Sequence, residues 1–198
     1  MNLRQPTRHL EIGIGTGRRL RQLVGQQGNR EIVGIDKRRG TVKGRIKGAR
    51  IILGKKGEAK TFLMNAARKG EKFDAINAEH VFDNLVPEID ASSSLFRGAS
   101  FEQIIGEKKR RDIKRRREIS EILGLIKQVL SEDGFLRLEV RKDSIRKNTA
   151  RLKAQGFRTE VRMLEPEEVE SRWGRIYFRQ SEQGDRGRRP YEIIARLV

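Results

Sequence analysis

The chain reads as a doubly wound α/β protein, with a seven-stranded sheet that is mostly parallel and ends in an antiparallel last strand, in a single domain spanning 1–198. Three observations predict this. Short apolar strands alternate with segments of helical period from residue 9 to residue 164, the pattern that builds a parallel sheet. A glycine-rich turn, Gly13-Ile-Gly-Thr-Gly17, stands between the first strand and the first helix. The chain then closes with a turn at 184–190 and a strand at 191–198, a hairpin that reverses direction.

Each element follows from local pattern. Residues 1–8 are polar and read as frayed. Leu10, Ile12 and Ile14 alternate with small or acidic residues, a buried strand running into a turn. Leu20, Leu23 and Val24 have helical spacing over 18–24, and 25–29 is the turn out. Glu31–Asp36 is the second strand. A weakly apolar stretch up to Gly48 has room for a short helix, and Ala49–Leu53 is the third strand. Thr61–Arg68 forms a helix that Gly70 closes. A fourth strand starts at Phe73. Residues 86–106 are loop-like, with Pro87, Ser92 to Ser94 and Gly98. The stripe Ile119, Ile122, Leu123, Ile126, Val129, Leu130 predicts a helix whose first turns carry a basic run. Ser131–Gly134 is a turn and Phe135–Val140 the fifth strand. A helix over 144–155 ends at Gly156, and Phe157–Leu164 is the sixth strand. Glu165–Trp173 has one or two helical turns, and Ile176–Phe178 is extended.

The glycines carry chemistry. Removing Cβ at Gly13, Gly15 and Gly17 allows a sharp turn and lets a ligand approach backbone. Asp36, nineteen residues past Gly17 at the end of the second strand, is placed to accept two hydrogen bonds from a ribose diol. A dinucleotide loop needs a third glycine where Arg18 stands, so the spacing is instead acidic-apolar-Gly-x-Gly-x-Gly, with Glu11 before the first glycine. That pattern resembles the first motif of class I S-adenosylmethionine-dependent methyltransferases, which have a Rossmann-like sheet. Phe73-Asp-Ala-Ile-Asn-Ala-Glu-His-Val-Phe-Asp-Asn-Leu85 is similar to the fourth-strand motif of that family. The resemblance implies S-adenosyl-L-methionine as cofactor, held by Glu11, Gly13, Ile14, Gly15, Thr16, Gly17, Asp36, Lys37, Asn77 and Ala78. It implies a methyl-transfer site lined by Asn77, Glu79, His80 and Asp83. His80 also reads as a half-buried packing residue.

Composition bounds the rest. No cysteine is present, which removes disulfides, thiolate metal sites and the nucleophile that pyrimidine C5 methylation normally needs. His9 and His80 cannot build a zinc centre unaided, and no metal is expected. No apolar stretch reaches the length of a membrane span, and no secretion leader is evident, so a cytoplasmic protein is expected. Gly54-Lys-Lys-Gly-Glu-Ala-Lys-Thr61 is one residue from a phosphate-binding loop, but Ala59 replaces the second glycine. A solvated turn is the better reading.

Lys and Arg number 45 against 27 Asp and Glu, a net charge of +18 that attracts polyanions. The densest stretch is Lys108, Lys109, Arg110, Arg111, Lys114, Arg115, Arg116 and Arg117, within an 86–117 segment read as a substrate loop or insertion. Arg18, Arg19 and Arg21, Lys37 to Arg39, Lys55 and Lys56, and the final hairpin's Arg186, Arg188 and Arg189 are expected at the same sheet edge. Those clusters predict an RNA partner held by its phosphate backbone, with Lys108–Arg117, Arg186 and Arg188 in contact. The glycine loop, the Lys/Arg-rich segment and an arginine-glycine-rich hairpin also resemble tRNA guanine-N7 methyltransferases. Glu79-His-Val-Phe-Asp83 departs from their phenylalanine-proline-aspartate-proline-tryptophan signature. The expected function is methylation of a tRNA or rRNA base. The alternatives are a small-molecule or protein acceptor, or a non-catalytic nucleic-acid-binding module. The sequence leaves monomer and dimer both open.

Overall fold

The computed structural model describes residues 8–26, 31–39, 42, 44–79, 100–140, 142–165, 167–169 and 191–198. Seven strands form one sheet in the order β3-β2-β1-β4-β5-β7-β6. They are β1 (Arg8–Ile12), β2 (Glu31–Asp36), β3 (Ala49–Leu53), β4 (Phe73–Glu79), β5 (Leu130–Val140), β6 (Phe157–Met163) and β7 (Tyr191–Leu197). The first five pair in parallel, and β7 runs antiparallel between β5 and β6. Among the described residues four α-helices connect them: α1 (Arg18–Gln26), α2 (Ala59–Arg68), α3 (Phe101–Val129) and α4 (Ile145–Ala154). The seven strands and the reversed last one are the sheet that the sequence predicts.

Alternation along each strand divides the side chains between two faces. Leu10 and Ile12, Val33 and Ile35, Ile76 and Ala78, and Leu136 and Leu138 join α2, α3 and α4 in the larger apolar core. On the other face a smaller cluster of Ile14, Leu20, Ile32 and Ile46 lies under α1. Gly34 permits this close packing, since a Cβ there would stand 2.7 Å from Leu20.

Four local expectations are corrected. Arg8 is not frayed: it opens β1, its guanidinium pairs with Glu31 at 2.8 Å and Glu71 at 3.0 Å, and it lies 4.7 Å over the Phe73 ring. The described residues between β2 and β3 form bends and turns without a helix. Ser131–Gly134 does not precede β5 but bulges within it. Leu130 pairs with Phe73 and Phe135 with Ala75, so four residues on β5 face one on β4, and Ser131 donates to Asp74 at 2.8 Å.

The fourth correction is the largest. α3 begins at Phe101, far ahead of the basic run, and is 29 residues long. Ser100 and Gln103 form a reciprocal capping box, with the Gln103 N–H donating to Ser100 Oγ at 3.3 Å and the Ser100 N–H to Gln103 Oε1 at 2.8 Å. The run 108–117 therefore sits mid-helix, away from the dipole's positive end. At 1.5 Å per residue α3 is about 43 Å long. β4, beside it, spans about 20 Å, or about 13 residues of helix. Counting back from Val129, the amino-terminal half of α3 projects past the carboxyl ends of the strands as an arm. Burial agrees: among the described side chains of 102–118 none is buried, and the buried stripe starts at Ile119.

Candidate active site at the glycine loop

Strand order reverses between β1 and β4, and in open α/β sheets ligands bind outside the carboxyl ends at such a point. The loop after β1 lies there. Gly13, Gly15 and Gly17 have φ of 79°, 50° and 76°, a region that side-chain-bearing residues rarely adopt. The loop is tied to β2 through its backbone. The N–H groups of Gly13 and Ile14 donate to the Ile35 carbonyl at 2.8 and 3.3 Å. Asp36, at the end of β2, accepts from the Gly15 N–H at 2.9 Å on one carboxylate oxygen and from the Arg38 N–H at 2.8 Å on the other. A Cβ at Gly17 would meet Ile46 at 2.8 Å, whereas one at Gly15 would meet nothing within 4 Å. Gly17 is thus glycine for packing, and the space over Gly15 is open.

Beneath the loop is a buried polar network. Glu11 on β1 is in register with Asn77 on β4, and the Asn77 amide donates to Glu11 at 2.9 Å. The same amide nitrogen is 2.9 Å from the His9 ring, which is 3.4 Å from Glu11. Arg19, from α1, reaches down to Glu11 at 3.6 Å and to Glu139 on β5. Burial by itself raises a carboxyl's pKa. The Arg19 charge, with hydrogen bonds from His9 and Asn77, outweighs it and holds Glu11 below the usual carboxylate range. This network fastens strand, loop and helix to one another.

The expected site residues fall into distinct places. Gly13, Gly15, Thr16, Asp36 and Lys37 border the loop's outer side, with Thr16 and Lys37 exposed. Ile14 packs inward with Leu20 and Ile32, which leaves its backbone at the loop. Asn77 is spent on the network under the loop, and Ala78 points into the large core. The backbone of Glu79 ends β4 in register with Glu139. His80, Asp83, Arg186 and Arg188 lie outside the described residues, as do all of 86–99 and the hairpin turn. Arg19, expected at the RNA-facing rim, is instead buried in the ion-pair network. Its neighbours Arg18 and Arg21 are exposed. His9 and Glu139 were not anticipated as part of the site. The odd-numbered polar residues within otherwise apolar strands are the signal that marks them.

The described residues fit a nucleoside cofactor with an amino-acid arm. There is open space over Gly15, and an acid at the end of β2 keeps lone pairs beyond its two amide bonds. The sheet order and the loop's position at the switch point are those of the class I S-adenosylmethionine-dependent methyltransferase fold, and this chain has that fold. It resembles a SAM-dependent methyltransferase from Archaeoglobus fulgidus at a TM-score of 0.61, with 16% identity over 98% of this chain and 87% of that one. The 16S rRNA methyltransferase KamB matches at 0.58, with 14% identity over 96% and 87% of the two chains. The plantazolicin methyltransferase BamL, solved with a triazolic desmethylPZN analogue and SAH, matches at 0.59, with 12% identity over 98% and 79%. No protein-family model and no curated protein sequence matches the chain. The finer resemblance to tRNA guanine-N7 enzymes draws no support from these structures. No helix among the described residues is long and apolar enough to cross a membrane.

Proposed function

We propose that the chain is an S-adenosylmethionine-dependent methyltransferase that acts on a base of folded RNA, tRNA or rRNA, with 1–198 as one catalytic domain. The observation that carries the catalytic half is the three-glycine loop fixed by Asp36 under open space at the switch point. When bound, the cofactor supplies a methyl group already activated by its sulfonium. The chain's own residues then position the reactants. Asp36 holds the ribose hydroxyls, Glu11 and Asn77 keep the loop in shape, and Lys37 borders the site. For an acceptor nitrogen with a free lone pair no base is needed. Where the acceptor carries a proton, Glu79, His80 or Asp83 removes it.

The RNA half is supported by the net charge of +18 and by the basic run on the projecting arm of α3. Solved proteins of this fold include a 16S rRNA methyltransferase and a plantazolicin methyltransferase, and the net charge of +18 favours the RNA acceptor here. The test is transfer of label from methyl-labelled S-adenosylmethionine to total RNA, followed by nucleoside mass spectrometry of RNA from cells with and without the gene. One modified nucleoside missing without the gene is expected. An unchanged nucleoside profile together with labelling of a protein or small molecule would overturn the RNA acceptor.

A further inference from the structure

The basic run on α3 is not one surface. Arg111 and Arg115 stand eight and four residues before the buried Ile119. They continue its line and are half-buried, with Arg111 held by Glu107 at 2.9 Å. Lys109, Arg110, Lys114, Arg116 and Arg117 are exposed. Arg117 pairs with Glu121 one turn below at 3.1 Å, and the other oxygen of that carboxylate meets Lys60, in the first turn of α2, at 2.6 Å. Glu121 therefore joins the root of the arm to the start of α2. Immediately before α2, the 3-10 turn Gly54–Gly57 exposes Lys55 and Lys56. Gly57 fits there because a Cβ would stand 2.5 Å from the Asp36 carbonyl, so the turn lies on the end of β2. Arg39 packs over Gly54 from the other side, and Lys37 and Arg38 beside it are exposed. One strip of cations thus runs from the Asp36 end of the site, over the start of α2, and out along the arm. The acids on or beside the strip are Glu58, which accepts from the Thr61 hydroxyl at 3.2 Å, Glu107, which holds Arg111, Asp112, Glu118, which lies near Lys60, and Glu121, which two cations hold.

Of the aromatic side chains described, Phe62, Phe73, Phe135, Phe157 and Tyr191, none is exposed. Single-stranded RNA is gripped mainly by stacking bases on such rings, whereas a double-helical segment is recognised by its backbone and shape. We infer that this strip grips the phosphate backbone of a double-helical RNA stem beside the methyl-transfer site. The inference rests on the reading of the chain as an RNA methyltransferase and narrows the part of the RNA it holds to a double-helical stem. The arm lies along the stem, and Lys55 and Lys56 hold it where it meets the site.

The test is binding of the full chain, by fluorescence anisotropy over a salt series, to an RNA hairpin stem and to a single strand of equal length. The stem is expected to bind more tightly. Lys55→Gln with Lys56→Gln, and separately Lys109→Gln, Arg110→Gln and Lys114→Gln, should each lower the log–log salt slope by roughly 0.7–0.9 per lost contact. Lys153→Gln, exposed in the last turn of α4 at the opposite edge of the sheet, should leave it unchanged. Equal binding of strand and stem, or equal slopes in the strip variants and the wild type, overturns the strip while leaving RNA methylation standing. No RNA binding by a chain that still binds S-adenosylhomocysteine overturns the RNA reading itself, and capture of a polyglutamate peptide in its place would do the same.

Discussion

The two faces of the sheet are held by opposite means. Toward α2, α3 and α4 the inward residues of β1, β2, β4, β5 and β7 are aliphatic almost throughout. On the other face, beyond the patch under α1, the buried side chains include His9, Glu11, Asn77, Glu139 and Glu192, with Ala75 beside His9. Arg19 pairs with Glu11 and Glu139. Arg137, at 2.5 Å, and Arg162, at 2.8 Å, pair with Glu192. The apolar face stabilises through area removed from water, which tolerates swaps of similar volume. The charged face gains little net stability from its pairs, but it is intolerant of losing one partner. His9, Glu11, Asn77, Arg19 and Glu139 link β1, β4, β5 and α1 beneath the glycine loop, and Glu192 with its two arginines links β5, β6 and β7 farther along the sheet.

The comparison breaks first at Glu192. Glu192→Ala removes the buried carboxylate between Arg137 and Arg162; Arg162 keeps Glu168 at 2.8 Å and both arginines are partly exposed, so urea unfolding should show a loss of about 1.5–3 kcal/mol. A loss below about 1 kcal/mol would mean that the pairs are solvated and that the face is not buried in the sense argued here. On the apolar face, Ile122→Ala should cost about 2–5 kcal/mol through its cavity, with S-adenosylhomocysteine affinity unchanged in the fraction that folds. If affinity falls with it, the two faces are coupled rather than independent.

Much of this was legible before the fold was known, and the failures have physical reasons. The apolar face announces itself as alternating aliphatics, so all seven strands were readable. The loop's place was readable because three glycines stand where an apolar strand gives way to a helix. The charged face was not readable, because one sequence does not show which Glu meets which Arg. Arg19 looks like any rim cation until α1 is folded back over β1. The start of α3 did carry a signal, Ser100-Phe-Glu-Gln103, a four-residue capping box that the serine- and glycine-containing stretch before it obscured.

Acid sharpens the comparison next. Glu11 is held below its ordinary value in the fold, so its pairing contributes fully above the usual carboxylate range near ~4.3 and is lost as pH falls through its lower folded value. Wild type should therefore lose stability below about pH 4 more steeply than Glu11→Gln, which has no such proton to take up. Parallel curves would remove Glu11 from the acid response. A smaller effect is expected at the arm. Ser100→Ala removes one cap acceptor and should cost about 0.5–2 kcal/mol, seen as faster amide exchange in the first turns of α3 and not elsewhere.

The central claim is that the loop and Asp36 form a cofactor site, and titration calorimetry with S-adenosylhomocysteine tests it most directly. Wild type should bind saturably at one site per chain. Asp36→Ala, losing charge-assisted hydrogen bonds of about 1.5–3 kcal/mol, should bind about ten- to hundredfold more weakly while remaining folded. Saturable binding that is equally tight in the variant would contradict the role given to Asp36, and a wild-type chain that binds no S-adenosylhomocysteine at all would contradict the site.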